Sequence, residues 1–233
     1  MNILLTGASR GIGAATFEAL TKSGHQVVGH STRGDNGLVA GDLADPSSAR
    51  KVWDAALDQL GGTIDVLVNN AGIYEGVSDD ASDEEWHAAW ARTMQVNLQA
   101  ASDLCRHAVA HFRERGGGRI VNVASRAAFR GDSPSHWHYA ASKAAMIGMT
   151  KTIARGYAAD GILAFAVAPG FTVSEMTEEY LTGRGGEKIL ADIPLGRVTN
   201  TTEVAEAIRW LATEAPAAST GSVIDLNGAS YVR

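Results

Sequence analysis

The 233-residue chain carries a formal net charge of −6, is 45% hydrophobic and holds one cysteine. Its length suits one sizeable domain or two small ones, and its acidic balance argues against a broad nucleic-acid footprint. No apolar run reaches the roughly eighteen residues of a membrane span, Cys105 has no intrachain disulfide partner, and Ile3-Leu4-Leu5 is too short for a secretory leader, so a cytoplasmic location is expected.

Met1 to Leu5 reads as a short apolar strand, followed by the glycine-rich turn Thr6-Gly7-Ala8-Ser9-Arg10-Gly11-Ile12-Gly13. A helix follows, with Ile12, Phe17 and Leu20 on one side, and His25 to His30 is a second strand. Strand, glycine-rich turn, helix and strand open a dinucleotide-binding unit. There the glycines admit a pyrophosphate to backbone N–H groups, and the helix N-terminus favours its charge. Gly7-Ala8-Ser9-Arg10-Gly11 also satisfies G-x-S-x-G, the nucleophile elbow of serine hydrolases. That reading fails because the elbow's histidine should follow late in the chain, whereas the last histidine is His138.

Only Thr32 to Asn36 separates the second strand from a short third one, Gly37 to Gly41, so the usual intervening helix is expected to be missing or a single turn. Asp42-Leu43 closes the third strand, and Ala44 to Leu60 is read as a helix capped by Asp45 or Ser47, with Trp53 in the core. Ile64 to Val68 is a buried fourth strand, ended by Asn69-Asn70-Ala71-Gly72. Ser82 and Glu85 form a capping-box pattern opening a long helix to Arg113 that is expected to break near Asn97. A strand about Ile120 follows, then a helix from Tyr139 to Ala159, a sixth strand Ile162 to Ala168 closed by Pro169-Gly170, a helix Thr202 to Thr213 capped by Thr201 or Thr202, and a last strand Ser222 to Leu226. Seven strands alternating with helices predict a single α/β domain over residues 1–233, a Rossmann-type doubly wound parallel sheet with helices on both faces.

Ser125 follows the apolar run Ile120 to Ala124, and Tyr139 stands four positions before Lys143. On a helix those two side chains share a face. An ammonium beside a phenol favours the phenolate and lowers its pKa from about 10, which makes a tyrosine a usable acid/base. The pair gains weight from its surroundings.

Together these landmarks resemble the short-chain dehydrogenase/reductase family over nearly the whole length: Thr6 to Gly13 in its T-G-x-x-x-G-x-G spacing, Asp42, Asn69 to Gly72, Asn97, Ser125, Tyr139 with Lys143, and Pro169-Gly170. The overall pattern is nearest to the 3-oxoacyl-carrier-protein reductase group. The resemblance implies hydride transfer between a nicotinamide and a carbonyl or alcohol carbon. Tyr139 would be the general acid or base, and Lys143 would tune it and hold the nicotinamide ribose. Ser125 would bind the substrate oxygen, and Asn97 would keep a water for proton relay. It further assigns the cofactor to Gly7, Ser9, Arg10, Gly11, Ile12 and Gly13, to Asp42 and Leu43 beside the adenine, and to Asn69, Ala71 and Gly72 as its floor. Pro169, Gly170, Thr172 and Ser174 complete that set. Phe165, Arg126 and Asn227-Gly228-Ala229 depart from the family's frequent pattern.

NAD-preferring relatives end the second strand with an aspartate. Ser31 aligns there, with Thr32, Arg33 and Arg10 nearby to meet a 2′-phosphate, so NADP(H) is expected over NAD(H). No metal site is expected. The substrate is expected to be a small carbonyl or alcohol compound, contacted by Arg126 and Trp137 and by Met176 and Tyr180 of a lid over about 172–192. A medium-sized ketone, a 3-oxoacyl carrier protein, a steroid and a sugar alcohol all remain open, as does a non-catalytic nucleotide-sensing module. His136 and His138 are read as loop or subunit-contact residues. The resemblance further implies pairing through the two long helices, here about Val96 to Arg113 and Tyr139 to Ala159, and through the last strand. Apolar residues on both sides of a helix suggest two buried faces, and Ala144, Ala145, Gly148 and Met149 fit close packing, so a homotetramer is expected, with a dimer as the alternative.

Overall fold

The structure, a computed structural model, describes residues 1–172 and 186–233. Seven parallel strands form its sheet: β1 (Asn2–Leu5), β2 (Gln26–Ser31), β3 (Val39–Ala40), β4 (Val66–Asn69), β5 (Gly118–Val123), β6 (Ile162–Pro169) and β7 (Val223–Leu226). Their order is β3-β2-β1-β4-β5-β6-β7, so the chain reverses direction across the sheet between β1 and β4. Ligands of such sheets bind at that reversal, beyond the strands' carboxyl ends. The central strands are apolar on both faces because helices cover both; Ile3, Leu4, Leu5, Val66, Leu67 and Val68 are fully buried.

One face is covered by α2 (Ser48–Gln59), α4 (Ala100–Arg115) and α6 (Trp137–Tyr157). Its core holds Leu4, Val52, Trp53, Leu67, Leu104, Phe112 and Ile120. The other face is covered by α1 (Gly11–Lys22) and by the helix Thr201–Thr213, here α8. Its core joins Ile3, Leu5, Leu20, Phe165, Val204 and Ile208. Phe165 and Trp53 are thus core residues, and so is Cys105, whose burial pushes its thiol up to about 12.

The remaining helices are α3 (Asp83–Met94), α5 (Ala127–Arg130) and α7 (Gly186–Ala191). The expected gap after β2 is filled by one 3-10 turn, Asp35–Gly37. Four local expectations need correction. The helix expected from Ala44 starts at Ser48, because the Asp45 carboxylate accepts from the Ser47 backbone at 2.9 Å and closes its own turn first. The last helix is capped by Asn200 rather than Thr201 or Thr202; the Asn200 backbone donates to the Glu203 carboxylate at 2.8 Å. The long helix does not break near Asn97 but passes from α3 to α4 through a π turn, Gln95–Gln99. Finally, α6 begins at Trp137, which puts His138 in its first turn, fully buried 5.9 Å from the Trp90 ring rather than in a loop or on the surface. The Ser82–Glu85 capping box is formed as expected.

Candidate active site

The glycine turn sits at the carboxyl end of β1, and its shape follows from residue size. Gly7 and Gly11 hold φ of +67° and +56°, values that disfavour side chains with a Cβ. A Cβ at Gly13 would lie 1.9 Å from the Gly7 carbonyl, so helix and turn pack at a distance only glycine permits. Arg10, the N-cap of α1, makes no side-chain capping bond, and the helix has no acidic residue in its first turn. Its N-terminus is therefore an electropositive end suited to an anion. These features fit the pyrophosphate of a dinucleotide.

Residues that pattern reading passed over hold this turn in place. The Asn70 amide donates to the carbonyls of Thr6 and Gly7 at 3.0 Å each, and the Thr6 hydroxyl accepts from the backbones of Asn70 and Ala71. Buried His30 on β2 accepts from the Gly7 backbone at Nδ1 (3.4 Å), which leaves Nε2 to donate to the Gly41 carbonyl at 2.8 Å. Burial lowers the His30 pKa.

Asn69 faces the core rather than the cleft: it donates to Asn122 at 2.9 Å and to the Cys105 sulfur at 3.2 Å. Ser31, at the end of β2, is buried and accepts from the Gly34 backbone at 3.0 Å. Thr32, Arg33, Ser9 and Arg10 are exposed, and neither arginine forms an ion pair among the described residues. Asp42 is exposed and accepts from the Ala44 backbone, while Leu43 is buried with Val96 and Ala100.

The four residues expected to do chemistry converge beyond β4 and β5. Tyr139 and Lys143 lie on one face of α6, with the Lys143 ammonium 5.8 Å from the centre of the phenol ring. That ammonium is buried and donates to the Val123 carbonyl at the end of β5 (2.9 Å). Asn97 is fully buried in the π turn; its amide accepts from the Ile73 backbone (2.8 Å) and donates to the Ile73 carbonyl (3.0 Å). A Cβ at Gly72 would lie 3.3 Å from the Asn97 oxygen and 3.4 Å from the Lys143 nitrogen, so both groups border the same spot.

Electrostatics correct one expectation. In the protein alone, burial pushes the Tyr139 phenol up to about 12 rather than down, and the charge of Asp132 adds to this; a hydrogen bond with Ser125 pulls the other way. Burial also lowers the Lys143 ammonium to about 8. The largest influence on the phenol is thus its burial, and the ammonium, itself buried, donates to the Val123 carbonyl.

Pro169 ends β6, and Gly170 packs so closely on Asn227 that a Cβ would lie 2.9 Å from its Cα. The Thr172 hydroxyl donates to the Gly170 carbonyl. Arg126 is buried, turned to Ser230 and Asp192, with its guanidinium 4.7 Å from the centre of the Phe171 ring. Trp137 is half exposed and meets Trp86 edge-on at 5.3 Å. Ser174, Met176 and Tyr180, with most of the expected lid, lie outside the described residues.

A switch-point cleft with an anion-binding glycine turn and a serine, tyrosine and lysine beside it defines a nicotinamide-dependent oxidoreductase of CH–OH and carbonyl groups. The chain belongs to the short-chain dehydrogenase family, whose model matches residues 1–185. It is similar to the 3-oxoacyl-[acyl-carrier-protein] reductase of Vibrio cholerae, at 36% identity over 98% of this chain and 96% of the relative. The corresponding reductase of Escherichia coli K12 is 33% identical over the same shares. Nodulation protein G of Rhizobium meliloti is 37% identical over 97% of this chain and 94% of its own. A short-chain dehydrogenase from Burkholderia cenocepacia J2315, solved in complex with NADP, superposes with a TM-score of 0.87 at 27% identity, covering 98% of this chain and 97% of that one.

Proposed function

We propose that the protein is a cytoplasmic, NADP(H)-dependent reductase of a medium-sized ketone, with Tyr139 as its proton donor. The observation that carries this reading is the convergence of Ser125, Tyr139, Lys143 and Asn97 on the cleft beside Gly72. When bound, the nicotinamide supplies the hydride. The chain's own residues do the rest. The Ser125 hydroxyl and the Tyr139 phenol hold the carbonyl oxygen between them and stabilise the charge it develops. Tyr139 gives that oxygen its proton, and its high pKa keeps the proton in place until the oxygen becomes basic. Lys143 orients the ribose and returns a proton to Tyr139, with Asn97 and Ile73 shaping the path.

The NADP complex of the Burkholderia cenocepacia relative supports the choice of cofactor. So do the neutral Ser31 and the exposed Arg10 and Arg33 beside the expected ribose site, which form no ion pair among the described residues. The small residues Ala144, Ala145 and Gly148 lie exposed along α6 and support a homotetramer.

A second reading, reduction of a 3-oxoacyl group on a carrier protein, is favoured by the reductases at 33–36% identity. Against it stands an acidic rim. Asp79, Asp80, Asp83 and Glu84 are exposed between the loop after β4 and the first turn of α3 and form no ion pair among the described residues, whereas Glu75 is paired with Arg92 at 3.2 Å. Such a rim repels an acidic carrier.

The test is NADPH oxidation over a panel of free ketones with a 3-oxoacyl carrier protein alongside. Turnover of a free ketone that Tyr139→Phe abolishes supports the proposal. Turnover of the carrier-bound substrate alone supports the second reading, and undiminished activity of Tyr139→Phe removes the assigned mechanism.

A further inference from the structure

We propose that Tyr74 is a positioning residue for the Tyr139 phenol: with Asp132 and His136 it clamps the loop after β4 onto the loop before α6, against the acid/base side chain. The proposal rests on the reading of Tyr139 as that acid/base group.

The Tyr74 ring meets the Tyr139 ring edge-on, with centroids 4.8 Å apart and planes at 85°. Two further contacts fix Tyr74. Its hydroxyl donates to Asp132 Oδ1 at 2.9 Å, and its face stacks on His136 at 3.9 Å and 11°. His136 is held in turn, with Nδ1 2.7 Å from the Ser133 hydroxyl and 3.0 Å from that of Ser135. The Val77 backbone donates to the Ser135 carbonyl at 2.9 Å, a second tie between the same two loops.

Burial does not explain this arrangement, because Tyr74 keeps 44% of its surface exposed. A large ring left half in water yet restrained by a hydrogen bond, a stack and an edge contact is held for its position. Neither loop belongs to a helix or strand between Asn70 and Ala81 or between Gly131 and Ser135, so cross-links of this kind decide their geometry. One edge of the phenol that must meet a substrate carbonyl is set by Tyr74. A proton donor displaced by about an ångström loses up to about a hundredfold in rate.

The clamp also controls how Tyr139 ionises. The titratable and charged groups about the phenol are Tyr74, Asp132, His136 and His138 on the loop side and Lys143 on the sheet side, with the Ser125 hydroxyl as hydrogen-bond partner. Tyr74 keeps water from one side of the phenol and holds the Asp132 carboxylate near. Both effects disfavour the phenolate.

The experiment compares Tyr74→Leu, Tyr74→Phe and Asp132→Asn, each with a Tyr139→Phe partner. In the cofactor-free protein, the ultraviolet absorption of tyrosinate is titrated, and Tyr139 is read as the difference between each chain and its Tyr139→Phe partner. Steady-state kcat and KM are measured on the best ketone. Tyr74→Leu should lower the Tyr139 midpoint by about one pH unit, from about 12 toward the ordinary value near 10. It should cut kcat about tenfold with a smaller change in KM. Asp132→Asn should shift the midpoint in the same direction, and Tyr74→Phe, which keeps the ring, should shift it less than Tyr74→Leu. A Tyr74→Leu chain with unchanged midpoint and kcat would overturn the clamp. Full turnover by Tyr139→Phe would instead remove the acid/base reading, and the midpoint shift would still test the clamp.

Discussion

The Lys143 ammonium donates to the Val123 carbonyl at 2.9 Å and stands 5.8 Å from the centre of the Tyr139 ring, so α6 and the end of β5 are joined by a buried charge. Its pKa falls from 10.5 to about 8 because burial disfavours the cation. A group so shifted costs about 3 kcal/mol of stability at neutral pH. Lys143→Met removes that cost but leaves the Val123 carbonyl unpaired, which takes back about 1–3 kcal/mol. The variant should therefore melt no lower than the wild type while losing nearly all turnover. The stability difference should also move in favour of the wild type as pH rises from about 8 toward 10.5, where the folded lysine is already neutral and the unfolded one still charged. Thermal melts across that range check it, and a large fall in Tm at neutral pH would contradict it.

The turn at Gly7 to Gly13 and the Tyr139–Lys143 spacing were legible in the sequence because each is local. A few consecutive residues fix the backbone shape or the shared helix face. Asn70, His30 and Tyr74 were not, although they hold the same site. Asn70 grips Thr6 and Gly7 from more than sixty positions away, as Tyr74 grips Asp132 across fifty-eight. Only the sheet order that sets β4 beside β1 and β5 brings such pairs together. The sign of the Tyr139 shift is hidden from the sequence for a related reason. Spacing along α6 reveals the ammonium but neither the Val123 carbonyl it donates to nor the burial that raises the phenol and lowers the lysine.

Gly13→Ala tests the packing of turn against helix. Its new Cβ would lie 1.9 Å from the Gly7 carbonyl and 2.6 Å from the Asn70 amide, and the first of these is backbone that cannot swing aside. The turn must open, so NADPH affinity should fall at least about a hundredfold while the sheet still folds. Fluorescence titration with NADPH measures the loss, and circular dichroism shows that the fold remains.

His30 makes the fold sensitive to acid. Burial lowers its folded pKa below the ordinary 6.5, so the neutral ring's contribution is fully present above about 6.5 and is lost as pH falls through the folded value. Protonating Nδ1 also removes the acceptor of the Gly7 backbone N–H. Both Tm and NADPH affinity should decline below about pH 6.5. His30→Gln should flatten that decline, and an equally steep fall in the variant would assign it elsewhere.

Cofactor choice should depend on Arg10 and Arg33. Both are exposed at the mouth of the glycine turn and the end of β2, and neither is paired among the described residues. Beside the uncharged Ser31 they are free to meet a 2′-phosphate. Arg10→Ala and Arg33→Ala should each weaken NADPH about tenfold and leave NADH nearly unchanged, a loss of one charge-assisted contact. Comparable kcat/KM for the two cofactors in the wild type would refute the preference itself.

Assembly gives the last prediction. Along α6, Ala144, Ala145, Gly148, Thr152 and Gly156 are exposed, and a Cβ built at Gly148 or Gly156 meets no atom within 4 Å. The exposed Lys151 and Arg155 flank these small residues on the same side, so another helix can approach closely only over the small positions, and the face is continuous with the turn that carries Tyr139. If two copies pair there, a long charged side chain at its centre would have to be buried without a partner, at a cost no flat helix contact withstands. Gly148→Arg should therefore convert the proposed tetramer to smaller species at micromolar concentration, by light scattering, while Lys22→Ala at the exposed end of α1, on the opposite face of the sheet, should not. A wild type that scatters as a monomer would remove the tetramer, and a tetrameric Gly148→Arg would place the contact on another face.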